Sequence, residues 1–318
     1  MDSLRGLAIL LVLVLHSATA LPMAGIEPQS WLLDLSRVFV LFRMPTLVFL
    51  SGLLLSASLN KPVGTYLYGK LQRIGWPLGI WSIIYLVVFP LDFTIGQFID
   101  LLRGDSYLWF LSFILLYYLS AILLRHVPAI LVSATLLTLA MAAPDGAKYS
   151  ERLLYLGALF YLGAWVGSRR QEWVALITSR WAPGALVLAS YFAMVMFPSP
   201  QTNYGPSDLF AACCFIVGAA AVAYKIQGSR HLRPVCFVGE HSLQFYVMHF
   251  PIMYAFARVC SWLGLTNSAL ISLTSIPLAL ALSALVVMSA KQLPALQLLF
   301  VGPRLPERLQ RAMRIALQ

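Results

Sequence analysis

The chain has 318 residues, of which 60% are apolar and only 11% charged, and its mean hydropathy is +0.81. A soluble domain carries about 25% charged residues, so a soluble fold is excluded, and the apolar runs recur at close to the roughly 20 residues that a membrane-crossing helix needs. The net charge of +10 sits in short gaps between those runs, with no basic domain and no aromatic-interleaved basic stretch, which argues for membrane orientation and against nucleic acid.

Taken in order, the apolar runs predict ten helices, at 4–21, 38–59, 74–91, 107–124, 128–143, 153–168, 184–198, 209–224, 242–263 and 269–290. The expectation is an all-α, polytopic transmembrane helical bundle of about ten spans. The first run has a signal-peptide-like core from Leu7 to Leu15 and a small-residue site at Ala18-Thr19-Ala20. Asp2 offsets Arg5, however, so the segment lacks a basic start and reads as a retained helix. With the N-terminus inside and ten alternating spans, most of the 22 Lys and Arg residues fall inside, which predicts an N-in/C-in topology. Residues 1–290 read as the transmembrane domain. Residues 291–318 read as a basic cytoplasmic tail able to lie along the membrane surface as an amphipathic helix. The four cysteines form no CxxC pair and read as small apolar residues.

Ionisable groups inside spans are costly and therefore candidates for function. His16 lies in the first run, Arg43 in the second, and His249 and Arg258 in the ninth. Arg5 and His16 are eleven positions apart, roughly 16 Å along a helix and close to three full turns, so both point to one face. A ligand with an anionic head and a distant reactive tip fits that interval, and coenzyme A has this shape. Histidine is suited to take a proton from a hydroxyl near neutral pH. The competing reading is a snorkelling Arg5 and a His16 that bonds a neighbouring helix. No two histidines stand at i, i+4 and no carboxylate accompanies them in the spans, so no metal site is expected.

The run from Met1 to Leu10, continuing to His16, resembles the opening signature of the acyltransferase-3 family of integral-membrane acyltransferases, many of which O-acetylate surface glycans. Further resemblances follow in order: Phe42-Arg43-Met44-Pro45 with Phe49-Leu50-Ser51-Gly52, Lys70-Leu71-Gln72-Arg73-Ile74 with Pro77, Trp109-Phe110-Leu111, and Gly239-Glu240-His241-Ser242-Leu243 with Tyr246 and His249. The resemblance implies that His16 is the catalytic histidine, that Arg5, Lys70 and Arg73 hold acyl-CoA, and that Arg43 binds the acceptor or steadies developing charge. For Lys70 and Arg73 the alternative is ordinary positive-inside charge, and for Arg43 it is snorkelling to headgroups. His249 is either a second catalytic or orienting group or a helix-packing residue. The implied reaction moves an acyl group, expected to be acetyl, from acyl-CoA as co-substrate to a hydroxyl of a surface or lipid-linked glycan, in the cell (inner) membrane and without a metal. The competing class is a polytopic transporter of a small anionic or glycan metabolite.

Overall fold

A computed structural model describes residues 1–89, 94–144, 148–196 and 204–304. All regular structure among the described residues is helical. Every run expected to be helical contains a helix; positions 90–91 of the third run and 197–198 of the seventh lie outside the described residues. Four helical stretches are long and apolar enough to cross a membrane: Asp2–Ala24, Val63–Val88, Pro206–Lys225 and Ser268–Ala290. Shorter apolar helices occupy Val40–Leu53, Trp109–Leu123, Ala129–Met141 and Ala182–Phe192.

The run expected at 38–59 is not one helix. It is interrupted at Phe39 and Leu54, leaving Val40–Leu53 as its central piece, and it is preceded by an amphipathic helix, Ser30–Val38, that hydropathy does not flag. The first helix, Asp2–Thr19, has its acidic residue in the first turn and His16 in the last, the arrangement that complements the helix dipole. Pro22 opens a short 3-10 turn after it, and Gly25 closes that turn at φ 77°, a left-handed conformation open to glycine.

The chain divides into two compact units. The first comprises Met1–Val12, Leu33–Ser56 and Leu124–Ser242; the second comprises Leu13–Leu32, Ala57–Leu123 and Leu243–Gln318. In the first unit, Val40–Leu53 crosses Lys148–Ser168 with backbones nearly touching. A Cβ at Gly52 would collide with the Phe160 carbonyl, and one at Gly163 with the Phe49 carbonyl. This is the small-residue packing that membrane helices rely on where no water drives them together. Leu4, Phe49, Leu50, Leu53 and Ile216 form its apolar core, and the Ser133 hydroxyl donates to the Ala158 carbonyl at 2.8 Å to tie Ala129–Met141 to the crossing.

The second unit is organised by prolines. Pro251 lies inside the Ser242–Trp262 helix, where it lacks the N–H that would bond the Val247 carbonyl four residues back. The Tyr107 hydroxyl supplies the missing donor at 2.6 Å. Pro77 has the same effect in the Val63–Val88 stretch, which contains a π-turn at Leu71–Gly75. The Trp76 N–H bonds the Leu71 carbonyl, five residues back, and Pro77 has no N–H to offer the Gln72 carbonyl in that register. The Gly302 N–H takes it at 2.9 Å. Residues 291–304 of the expected surface tail are therefore docked on this helix through 298–303, while 305–318, with Arg308, Arg311 and Arg314, lie outside the described residues.

Candidate active site

His16 and His249 meet within the second unit. Their ring centroids are 5.0 Å apart with the planes at 45°. His249 is fully buried and His16 half-buried. The His249 Nδ1 is 3.1 Å from the Phe245 carbonyl. A carbonyl only accepts, so Nδ1 carries the proton and the neutral ring presents its lone pair at Nε2. That Nε2 is buried and has no partner among the described residues. Leaving a buried acceptor without a donor costs about 1–3 kcal/mol, so the arrangement is one that a stability-driven sequence would avoid. His16 Nδ1 lies 3.1 Å from the Thr19 hydroxyl.

An aromatic wall fixes both rings. Phe250 packs edge-on to His16 at 5.0 Å, and Tyr107 packs edge-on to His249 at 5.9 Å and stacks on Phe250 at 5.0 Å. The Tyr246 hydroxyl donates to the Tyr107 carbonyl, so Tyr107 is held at its backbone as well as through its own hydroxyl. The last turn of the first helix is pinned next to this wall, because the Ser272 hydroxyl donates to the Ser17 carbonyl at 3.0 Å. Carbonyls at a helix end have no internal donor, and this one is filled from the Ser268–Ala290 helix. Tyr107 and Phe250 carry no motif that marks them in the sequence. The one available signal for Tyr107 was Pro251, which announces a carbonyl in need of a donor.

Lys70 and Arg73 share one helical stretch of the same unit. Lys70 Nζ sits 3.4 Å above the Tyr118 ring and 5.4 Å from the Tyr66 ring, and the Tyr66 hydroxyl donates to the Tyr118 carbonyl to hold that corner. Lys70 thus rests on aromatic faces. Such a contact is worth about 0.5–2 kcal/mol, little enough for a phosphate to displace. Arg73 is exposed, with no ion pair among the described residues.

Arg5 and Arg43 belong to the first unit. Arg5 is half-buried and 3.7 Å from Asp2, a loose and partly solvated pair of small energetic weight. Arg43 is only 3% exposed. Its Nη1 donates to the Ser36 hydroxyl at 2.6 Å across the Phe39 break. Among the described residues no carboxylate pairs with it. A buried guanidinium with a neutral partner retains its full charge for an anion or a developing oxyanion.

No curated protein and no solved structure matches the chain. A family profile described as an acyltransferase domain, that of the acyltransferase-3 family, matches residues 1–288 and so takes in every helix that carries a site residue. The chain belongs to the acyltransferase-3 family and is a multi-pass membrane acyltransferase.

Proposed function

We propose that this acyltransferase moves an acyl group, acetyl in the first instance, from cytoplasmic acyl-CoA to a hydroxyl of a cell-surface or lipid-linked glycan. It does so from the cell (inner) membrane, with ten spans and both termini inside. The observation that carries this reading is the His16–His249 pair, two imidazoles 5.0 Å apart in an apolar unit, one with a free lone pair. His16 accepts the proton of the acceptor hydroxyl as its oxygen attacks the thioester carbonyl. The carbon–sulfur bond then breaks, and the departing CoA thiolate takes the proton from the imidazolium. His249 stands beside it as a neutral ring that disperses that charge. An acyl-histidine intermediate on His16 is the mechanistic alternative. Arg5, Lys70 and Arg73 are assigned to the CoA phosphates, for which charge-assisted bonds are strong, and Arg43 to the acceptor or to the negative charge that develops on the thioester carbonyl oxygen. A metabolite transporter would give flux without CoA release, and membership of an acyltransferase family favours the transfer reaction.

The test is incubation of membranes with labelled acetyl-CoA and mass spectrometry of the acylated product. His16→Ala removes the base and is expected to lower transfer by at least about 100-fold while the protein stays folded in detergent. Wild-type turnover in that variant would overturn the assignment of His16. Absence of label in any product of the wild type would overturn the donor.

A further inference from the structure

The π-turn at Leu71–Gly75 is bonded to a segment that the family match does not include. Residues 298–303, beyond the matched 1–288, are fastened to the Val63–Val88 stretch at several points. Gln72 makes a reciprocal pair with Gly302: its carbonyl accepts from the Gly302 N–H at 2.9 Å, and its side-chain Nε2 donates to the Gly302 carbonyl at 2.8 Å. The Trp76 indole donates to the Leu298 carbonyl at 2.7 Å, the Trp81 indole to the Leu299 carbonyl at 2.9 Å, and the Tyr68 hydroxyl to the Pro303 carbonyl at 3.0 Å. Phe300 is buried and stacks on Trp81. A Cβ at Gly302 would lie 3.1 Å from Trp76 Cγ, so the segment seats directly on that ring.

A π-turn carries one more residue than the α-helix it interrupts, and the extra residue rotates what lies on one side of it relative to the other by about a third of a turn. In the π register Pro77 has no N–H to offer the Gln72 carbonyl, and among the described residues the Gly302 N–H of the 298–303 segment supplies the donor. Lys70 immediately precedes the π-turn and Arg73 lies inside it.

We propose that residues 298–303 are a strap that holds the π-turn, and that Gln72 and Gly302 are positioning residues for the anionic head of acyl-CoA. The proposal rests on the assignment of Lys70 and Arg73 to that head. With the strap in place, the two cations are presented in one fixed register. With it displaced, the turn relaxes and Arg73 moves out of that register, so donor affinity falls while the chemistry at the histidines continues.

The experiment uses the full chain in membranes with acetyl-CoA as the varied substrate. Gly302→Val drives a side chain into Trp76 and lifts the strap without altering the 63–88 sequence. Gln72→Leu removes the Nε2 donor and serves as the second variant should Gly302→Val fail to fold. Either is expected to raise KM for acetyl-CoA about fivefold to tenfold, the scale of one or two lost hydrogen bonds, with kcat within about twofold. In an Arg73→Ala background the same change is expected to add less than about twofold, because the residue being positioned is gone. An unchanged KM in both strap variants, beside a saturable wild type, overturns the strap alone. An equal penalty with and without Arg73 shows general loosening and overturns the positioning role. A wild type with no dependence on acetyl-CoA overturns the donor reading and the strap's role with it.

Discussion

Replacing Tyr107 by Phe tests the statement that a proline in one helix is compensated by a hydroxyl from another. The substitution keeps the ring that stacks on Phe250 and packs against His249 and deletes only the donor to the Val247 carbonyl. Val247 is fully buried, and with Pro251 four residues on, its carbonyl has no helical N–H to fall back on. A buried carbonyl that loses its donor costs about 1–3 kcal/mol. For a chain of this size that lowers the melting temperature by roughly 2–10 °C. The assay is thermal unfolding in detergent, followed with a thiol-reactive dye that reports exposure of the four cysteines, one of them buried. Pro251→Ala restores the N–H at position 251. In that background Tyr107→Phe is expected to cost less than about 0.5 kcal/mol, a coupling typical of residues that share one interaction. Equal losses in the two backgrounds would show that the hydroxyl does not compensate the proline.

His249→Phe keeps an aromatic ring of similar volume and removes the Nε2 lone pair. Transfer is expected to fall by about 100-fold or more with little change in melting temperature, whereas a purely packing histidine would leave turnover intact. Ser36→Ala leaves the Arg43 Nη1 without its hydroxyl acceptor and is expected to cost about 1–3 kcal/mol in thermal unfolding; no loss would show that Arg43 finds another acceptor at once. Gly163→Leu forces a side chain into the Phe49 backbone and is expected to destabilise by more than about 3 kcal/mol, read as loss of the folded peak in size-exclusion chromatography. Arg5→Ala is expected to raise KM for acyl-CoA about tenfold, and an unchanged KM with a weakened response to acceptor would move Arg5 to the other substrate.

Much of this molecule is legible before any coordinates. Hydropathy locates the apolar helices because burial in lipid demands long runs. It misses Ser30–Val38, Ile95–Arg103 and Arg233–Glu240 because short amphipathic helices mix charge with apolar residues and leave no run. The phase of Arg5 and His16 follows from helix geometry alone, since both lie on the unbroken Asp2–Thr19 helix. The proximity of His16 to His249 does not follow from local pattern. The two are separated by most of the chain, and no spacing rule within one helix reaches that far. Lys70 shows a different limit: its charge is plain in the sequence, but the tyrosines beneath it, Tyr66 and Tyr118, come from two different helices. The π-turn escaped notice because Pro77 near a helix start reads as an ordinary first-turn proline.

The prolines also order events during synthesis. A ribosome makes Tyr107 140 residues before Val247, so the donor for the open carbonyl created by Pro251 exists before that carbonyl is made. The Gln72 carbonyl has the opposite history: its helix forms early, and its partner at Gly302 emerges 230 residues later. The early helix is therefore made well before the residue that donates to its Gln72 carbonyl. The π-turn gains that external donor only once residues 298–303 have been made, so the interval is written into the separation of a glutamine and a glycine along the chain.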